Sequence, residues 1–280
     1  MILIDMSQII LGNVFGYGKG IQEADEDLIR HLTLNSLRLY KTKFKKYGEM
    51  VLVFDSNDYW RKERFEHYKA ARKIKQQDNK EDWARIWAVI RSIKEELTET
   101  FPYKVMCVPR AEADDVIAYL TKKFHQQEKV IIVSSDKDFQ QLQRYPNVVQ
   151  YSPKEKKKLD CKDPKAFLLD HIIRGDNSDG IPNILSEDDT IINPNKRQKP
   201  ITQKVLKTIE EDLAFNELPK GLEENWKRNQ DLVDFDKIPE WINGSIETKW
   251  NIPIKGKRSN MFNYFIKHKL KHLMEHIGEF

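Results

Sequence analysis

The chain has 280 residues, of which 39% are hydrophobic and 33% are charged. This composition is typical of a charge-rich globular protein and excludes a disordered chain, and the length allows one large domain or a core with an appended lobe. The formal net charge of +4 is too small to identify a partner by itself. No stretch has the length and apolarity of a membrane span, so we expect no contact with a membrane.

The two cysteines, Cys107 and Cys161, stand apart in the sequence. Because they form no CxxC pair and no Cys/His spacing, we expect no zinc site, and two isolated thiols predict a reducing compartment. The N-terminal run MILIDMSQIILGNVF contains Asp5 and lacks a basic leader, which favours a buried strand over a signal peptide.

Taken in chain order, the first half alternates between strands and helices. Short apolar runs rich in β-branched residues predict strands, and apolar residues at helical spacing predict helices. The predicted elements are a strand at 2–6, a loop at 13–20, a helix at 23–46, a strand at 50–54, a helix at 81–101, a strand at 103–108, a helix from residue 112, a strand at 130–135 and a short helix from residue 139. This alternation predicts an α/β fold with a central, mostly parallel sheet flanked by helices.

The second half predicts mainly helices. A β-hairpin is expected at 148–160, and Asp163 followed by a proline indicates the start of a helix that ends at residue 174. A polar loop follows at 175–182. Residues 254–274 have an apolar side and predict one amphipathic helix, in which His268 and His272 are interpreted as exposed histidines because no third metal ligand is in view.

Carboxylates gather in the stretch at 111–142. Glu112, Asp114 and Asp115 stand at the start of a predicted helix, where the helix dipole alone favours acidic residues. Asp136 and Asp138 directly follow an apolar strand. Because open α/β folds bind ligands at the carboxyl ends of their strands, these five carboxylates together indicate a cation site, and oxygen-only sites suit Mg²⁺ or Mn²⁺.

Two earlier strands also lead into aspartates, at Asp5 and Asp55. A single aspartate after a strand is explained by turn chemistry. Three strands that all end this way, together with the acids at the helix start, favour one acidic edge of the sheet over three unrelated turns.

The segment at 60–80 combines eight Lys or Arg and three Asp or Glu with three aromatic residues. Most charge runs are solvated helix faces. Beside an acidic cluster, a basic and aromatic segment is also typical of a surface that follows a phosphate backbone and stacks bases, and we favour this second interpretation. Lys69 and Arg72 are three residues apart and would share a helix face.

Five motifs occur in the order MILIDMSQI, VLVFDS, AEADDVIAYL, VIIVSSDKDFQQL and RGDNSDGIP. As a set they resemble the bacteriophage and bacterial 5′-nucleases, which include 5′-to-3′ exonucleases and flap endonucleases, and in particular the ribonuclease H branch of T-even bacteriophages. The resemblance covers almost the whole chain. It implies a PIN-like 5′-nuclease fold, with a catalytic core over residues 1–160 that carries a basic arch segment at 58–80. A helical DNA-binding lobe over residues 161–280, with a variant helix-turn-helix duplex-binding region, would pack on this core.

The same resemblance implies two Mg²⁺ ions, with Mn²⁺ as a substitute, in an acidic cleft. The implied metal ligands are Asp5, Asp55, Glu112, Asp114, Asp115, Asp136, Asp138, Asp176 and Asp179. Lys69 and Arg72 match the family's Tyr-Lys-x-x-Arg pattern and would be the catalytic cations at the scissile phosphate. The implied nucleic-acid contacts are Arg61, Tyr68, Lys69, Arg72, Lys196, Arg197 and Lys199.

One departure from the family lies after the RGDNSDGIP motif. The family's duplex-binding turn often contains Gly-x-Gly, whereas residues 183–200 contain no glycine. A potassium-assisted backbone contact is therefore in doubt, and the three basic residues at 196, 197 and 199 are the expected replacement.

These observations predict a structure-specific, metal-dependent 5′ nuclease that removes RNA primers and cleaves 5′ flaps in phage-type DNA replication. The expected partners are DNA and RNA–DNA hybrids, and the family implies a single-stranded-DNA-binding protein and a sliding clamp. We expect a monomer in the cytoplasm of an infected host. Two alternatives stay open, namely an aspartyl phosphatase that uses Asp136 and Asp138 as nucleophile and acid, and a non-catalytic DNA-binding homologue.

Overall fold

The computed structural model describes residues 1–16, 26–78, 81–214 and 221–280. Contacts within the chain form two compact units. The first comprises Met1–Asn57, Glu81–Cys161 and Trp241–Phe280, and the second comprises Asp58–Lys80 and Lys162–Glu240. Among the described residues, none of the helices combines the length and the apolar character that crossing a membrane requires.

One six-stranded sheet forms the centre of the first unit. Its strand order is β3-β2-β1-β4-β5-β6, and all neighbouring strands are parallel except β5 and β6, as the α/β prediction requires. The strands are β1 Ile2–Asp5, β2 Met50–Val53, β3 Lys104–Met106, β4 Val130–Val133, β5 Val148–Ser152 and β6 Lys157–Leu159. Every residue of β1, β2 and β4 is buried, because parallel strands are covered by helices on both faces.

The chain adds strands to β1 in two directions. β2 and β3 extend the sheet on one side, and the chain then returns to place β4 on the other side, so that Ile2 pairs with both Met50 and Ile131. Such a reversal is a topological switch point, where open α/β sheets bind ligands outside the carboxyl ends of their strands. The fold therefore predicts a ligand site at the carboxyl ends of β1, β2 and β4.

The helices of the described residues follow in chain order. They are α1 Met6–Gly16, α2 Glu26–Lys43, α3 Arg61–Arg64, α4 Ala70–Asp78, α5 Trp83–Thr100, α6 Ala113–Phe124, α7 Pro164–Arg174, α8 Gln203–Ala214, α9 Glu223–Val233, α10 Glu240–Trp250, α11 Arg258–Lys267 and α12 Lys271–Glu275. The start of α7 is as predicted, since Asp163 accepts hydrogen bonds from two backbone N–H groups and proline occupies the first turn.

Two predicted elements differ from the structure. The loop expected from residue 13 is helical as far as Gly16, because Ile9, Ile10 and Val14 are buried, and residues 17–20 lie outside the described part of the chain. The single C-terminal helix is interrupted between α11 and α12. Lys269 adopts a left-handed backbone with φ of 54°, and the N–H of Leu270 donates to the carbonyl of Phe265 at 2.9 Å, which ends a helix in the manner of a Schellman motif.

The two units group the chain differently from the predicted boundary at residues 160 and 161. The segment at 58–80 belongs with the later helices, because Phe65 and Tyr68 share an apolar core with side chains of α7 and α9. The segment at 241–280 belongs with the sheet, because Tyr264 and Phe265 lie in the apolar core of the first unit. The assignment of separate functions to residues 1–160 and 161–280 stays a prediction.

Candidate functional site

Three carboxylates lie at the carboxyl edge of the sheet. Asp5 is the last residue of β1, Asp55 follows β2, and Asp136 follows β4. These strands are adjacent and parallel, so the structure brings all three side chains to the same edge, at the topological switch point. This is the acidic edge that the sequence predicts.

The electrostatics of Asp5 show how closely these acids are placed. Asp5 is buried, and its pKa is raised from 3.8 to about 7. Burial is the largest cause, and the charges of Asp55 and Asp136 raise the pKa further. Hydrogen bonds from the Gln8 N–H at 3.2 Å and the Ser134 hydroxyl at 3.1 Å oppose this increase. Without a cation, therefore, ionising Asp5 beside its neighbours is unfavourable.

Asp55 and two further acids fix the start of α6. The Ala113 N–H donates to Asp55 at 2.9 Å. Glu112 and Asp115 form a capping box, in which the Glu112 N–H donates to Asp115 at 3.0 Å and Glu112 accepts from the backbone of Asp115. Both residues are buried, whereas Asp114 is half-buried. The structure thus gives Glu112 and Asp115 a helix-capping role, and their role as metal ligands stays a prediction.

A fixed turn holds Asp136 and Asp138. The Asp138 N–H donates to the Asp136 carboxylate at 2.9 Å, and the Asp136 N–H donates to the Ser134 hydroxyl at 3.1 Å. The side-chain amide of Gln150, on β5, donates to the carbonyls of Ser134 at 3.0 Å and Asp136 at 2.6 Å. Both carboxylates are therefore positioned by a polar network and not by a free loop.

The residues of this supporting network are not among the site residues that the sequence predicts. Gln8, Ser134 and Gln150 contact the acids or their backbone, and Ser134 and Gln150 are completely buried. A buried polar side chain needs hydrogen-bond partners, so a polar residue inside an otherwise apolar strand is a signal for such a network. Gln150 in the strand VVQYS was that signal.

In the second unit, a tight loop carries Asp176 and Asp179. Asp176 pairs with Ile181 through two backbone hydrogen bonds of 2.8 Å, and its carboxylate accepts from the N–H and the hydroxyl of Ser178. Gly175 has φ of 66°, and a side chain there would overlap the carbonyl of Ile181. Asp176 is buried, with His171 at 3.8 Å, so its carboxylate builds the loop; its metal-ligand role stays a prediction.

Asp179 lies against the predicted catalytic cations. Its carboxylate accepts a hydrogen bond from the Tyr68 hydroxyl at 3.1 Å and lies 3.7 Å from the Lys69 ammonium. The guanidinium of Arg72 also pairs with it and donates to the Ser178 carbonyl at 2.9 Å. The structure therefore brings Lys69 and Arg72 to the same carboxylate, that of Asp179. The predicted shared helix face is wrong, because Lys69 precedes α4 and has a left-handed backbone with φ of 57°.

The aromatic residues of the 60–80 segment are buried. Trp60, Phe65 and Tyr68 are all less than 9% exposed, so the described geometry does not favour base stacking by these rings. Arg61 is buried too, donates to the carbonyl of Leu232 at 2.8 Å and lies over the ring of Trp60. Nucleic-acid contacts by Arg61 and Tyr68 stay predictions that this burial does not favour.

The glycine-free segment at 183–200 is held by side-chain hydrogen bonds. Asn183 donates to the Lys199 carbonyl at 2.8 Å, and the Ser186 hydroxyl accepts from the Lys199 N–H at 3.0 Å. Lys196 forms ion pairs with Glu187 at 2.6 Å and with an aspartate at 2.7 Å. Lys196, Arg197 and Lys199 are exposed. Their contact with a duplex stays a prediction.

Comparisons with known proteins agree with the fold and the motifs. Residues 1–168 match the family described as the 5′-3′ exonuclease, N-terminal resolvase-like domain. Residues 163–280 match the family described as T4 RNase H, C terminal.

Individual relatives give the same result. The ribonuclease H of Enterobacteria phage T4 is 32% identical over 99% of this chain and 95% of its own length. A 5′-3′ exonuclease of Buchnera aphidicola is 32% identical over 54% of this chain and 50% of its own length. Among solved structures, the bacteriophage T5 flap endonuclease, in a complex with DNA and metal ions, has a TM-score of 0.66 at 16% identity and covers 89% of this chain and 96% of its own. The chain belongs to the 5′-3′ exonuclease family of nucleases, with a C-terminal region of the T4 ribonuclease H type.

Proposed function

We propose that this nuclease is a divalent-metal-dependent, structure-specific enzyme that hydrolyses phosphodiesters at 5′ ends and flaps and removes RNA from RNA–DNA hybrids in phage-type DNA replication. The observation that supports this most strongly is the acidic edge, where three adjacent parallel strands deliver Asp5, Asp55 and Asp136. The printed names of the relatives support the substrate class, since they include a ribonuclease H and a flap endonuclease bound to DNA and metal ions.

The acidic edge fits a hard divalent cation. Its candidate ligands are all carboxylate oxygens, which Mg²⁺ prefers. Burial, together with the charges of Asp55 and Asp136, raises the pKa of Asp5, and a bound cation would offset the cost of ionising it. We propose two Mg²⁺ ions, with Mn²⁺ as a substitute, held most directly by Glu112, Asp114, Asp136 and Asp138 and completed by Asp5, Asp55, Asp115, Asp176 and Asp179.

When bound, such ions generate a nucleophile from water and neutralise charge on the leaving oxygen. The chain's own residues prepare the site for this chemistry. The Asp136 N–H donates to the Ser134 hydroxyl and the Gln150 amide donates to the Asp136 carbonyl, and these two hydrogen bonds hold the turn of Asp136 in one conformation. We propose that Lys69 and Arg72 bind the phosphate of the substrate and stabilise its charge during cleavage. Arg suits this role because its planar guanidinium donates two parallel hydrogen bonds to a phosphate.

The two alternative functions have less support. The nuclease family assignment argues against both an aspartyl phosphatase and a non-catalytic binder. Each of the predicted metal-binding acids in the family motifs is present in the chain. The further proposals of a monomer, a host-cytoplasm location, a sliding clamp and a single-stranded-DNA-binding protein rest on the family resemblance alone.

The test uses 5′-labelled flap and RNA–DNA hybrid substrates, with Mg²⁺ or with excess chelator. We expect cleavage with Mg²⁺ and none with chelator. Asp138→Asn is expected to slow single-turnover cleavage by more than tenfold, a rise in the barrier of more than about 1.4 kcal/mol, while substrate binding stays nearly unchanged.

The matched control is Asp160→Asn, because Asp160 is an exposed carboxylate after β6 in the same unit. It removes the same charge and should cleave like the wild type. Cleavage that persists in chelator would exclude the metal-dependent mechanism. A loss within tenfold for Asp138→Asn would remove Asp138 from the set of direct ligands.

A further inference from the structure

We propose that Asp179 acts as an internal substitute for a phosphate group. In the protein without bound metal, its carboxylate occupies the anion site formed by Tyr68, Lys69 and Arg72, and a DNA phosphate must displace it. This inference rests on the proposed function, in which Lys69 and Arg72 contact the phosphate of the substrate. The Asp179 side chain thus competes with the substrate for these cations.

The contacts around the carboxylate are those that a phosphate would receive. Tyr68 donates its hydroxyl at 3.1 Å, the ammonium of Lys69 lies at 3.7 Å, and the guanidinium of Arg72 pairs with the other oxygen. Carboxylates and phosphates both accept paired hydrogen bonds from the planar guanidinium of arginine, and both attract ammonium groups. The same three donors are therefore engaged by an acid that belongs to the chain.

The backbone of Asp179 is fixed beside the cations. The Lys69 N–H donates to the Asp179 carbonyl at 2.7 Å, and Lys69 has a left-handed backbone with φ of 57°. The next residue, Gly180, approaches the carbonyl of His67 so closely that a Cβ atom would lie 2.8 Å from it. These contacts hold both segments in place, so departure of the carboxylate from the cations would require rotation of its side chain and not displacement of the loop.

Burial makes this competition large enough to measure. The side chain of Asp179 is only 14% exposed and that of Lys69 only 17% exposed. The ion pair between these two side chains is screened little by water and is therefore stronger than a fully exposed pair. A phosphate binds only to molecules in which the carboxylate has left the site. The apparent affinity for phosphate is therefore the affinity of the open site multiplied by the fraction of molecules in which the site is open.

The experiment measures DNA binding without metal, so that a role of Asp179 as a metal ligand has no influence. A fluorescent 5′-flap oligonucleotide is titrated in chelator at low salt, and its anisotropy gives the Kd. We expect Asp179→Asn to bind about fivefold more tightly than the wild type. Asp179→Ala should bind more tightly than the wild type as well.

The charge-matched control is Asp170→Asn. Asp170 is an exposed acid on α7 that pairs with Arg174, so its removal changes the net charge by the same amount. It should bind within about twofold of the wild type. Unchanged or weaker binding by both Asp179 variants would overturn the inference. Equal tightening by Asp170→Asn would also overturn it, because net charge would then explain the effect.

Two further variants separate this inference from the proposed function. Lys69→Ala and Arg72→Ala, in the presence of Asp179, should each weaken binding in chelator. If neither does, the proposed phosphate contacts fail. If both do and the Asp179 variants bind like the wild type, the phosphate contacts stand and only the competition by Asp179 is excluded.

Discussion

At the scale of single residues, Asp5 shows the conflict between folding and function. A buried carboxylate at the end of the central strand is poorly solvated and is repelled by Asp55 and Asp136, which raises its pKa to about 7. An apolar residue would suit the metal-free fold better. The presence of an acid at this position is explained by the cation that we propose, and not by stability.

Asp5→Asn should stabilise the metal-free protein at alkaline pH. Folded Asp5 keeps its proton up to about pH 7, whereas the unfolded chain releases it near 3.8. The folded state therefore binds more protons in this window, and stability falls as the pH rises through it. Asparagine carries no charge, so the variant should gain up to about 4 kcal/mol over the wild type at pH 8, since each pKa unit corresponds to about 1.4 kcal/mol.

Urea unfolding in chelator at pH 5 and pH 8 checks this. The difference between Asp5→Asn and the wild type should grow from the lower to the higher pH, whereas Asp160→Asn should show no such growth. The same difference at both pH values would mean that the charge of Asp5 is tolerated in the fold.

At the scale of elements, the sequence predicts those strands and helices whose own residues carry the pattern of the element. The buried strands β1, β2 and β4 are apolar along their whole length, and α7 has an aspartate cap followed by proline. The acidic edge could be predicted because each acid ends a strand or stands within three residues of its end. The break at Lys269 could not, because a left-handed lysine has no sequence signature. Nor could the pairing of Asp179 with Lys69, which joins segments far apart in the chain.

The loop that carries Asp179 predicts the effect of a glycine substitution. Gly180→Ala should destabilise the protein by about 2–3 kcal/mol, because a methyl group would meet the carbonyl of His67 and because φ at this position is 76°. Gly221→Ala is the matched control. Gly221 has the same φ of 76° but no atom within 4 Å of a Cβ, so it should lose only about 1 kcal/mol.

Denaturant midpoints of both variants separate the two causes. The loss of stability that both variants share reports the cost of the left-handed backbone conformation. The additional loss in Gly180→Ala reports the close approach to His67. Equal losses would show that the loop yields to the methyl group, and the fixed placement of Asp179 would then be in question.

At the scale of the whole molecule, metal binding should raise the free energy of unfolding. A ligand that binds only the folded state stabilises it by about 2.7 kcal/mol at a hundred times its Kd. For a chain of this size that is a rise in Tm of several degrees. The rise with Mg²⁺ should be larger at pH 8 than at pH 6, because the raised pKa leaves Asp5 protonated at the lower pH.

Thermal unfolding with Mg²⁺ or chelator at both pH values tests this expectation. The ionic strength is matched with a monovalent salt, and Asp138→Asn serves as the variant with a weakened site. A rise of equal size at both pH values would show that Asp5 takes no part in binding the ion.

The position of β1 in the middle of the sheet also bears on the synthesis of the protein. β1 is translated first, but its partner residues lie at 50–53 and 131–133, and Tyr264 and Phe265 complete the same core much later. Contacts between such distant residues form slowly, because the intervening loops must close first. The carboxylates at positions 5, 55 and 136 therefore cannot meet before residue 136, close to the middle of the 280-residue chain, has been synthesised. A shorter nascent chain lacks the complete acidic edge.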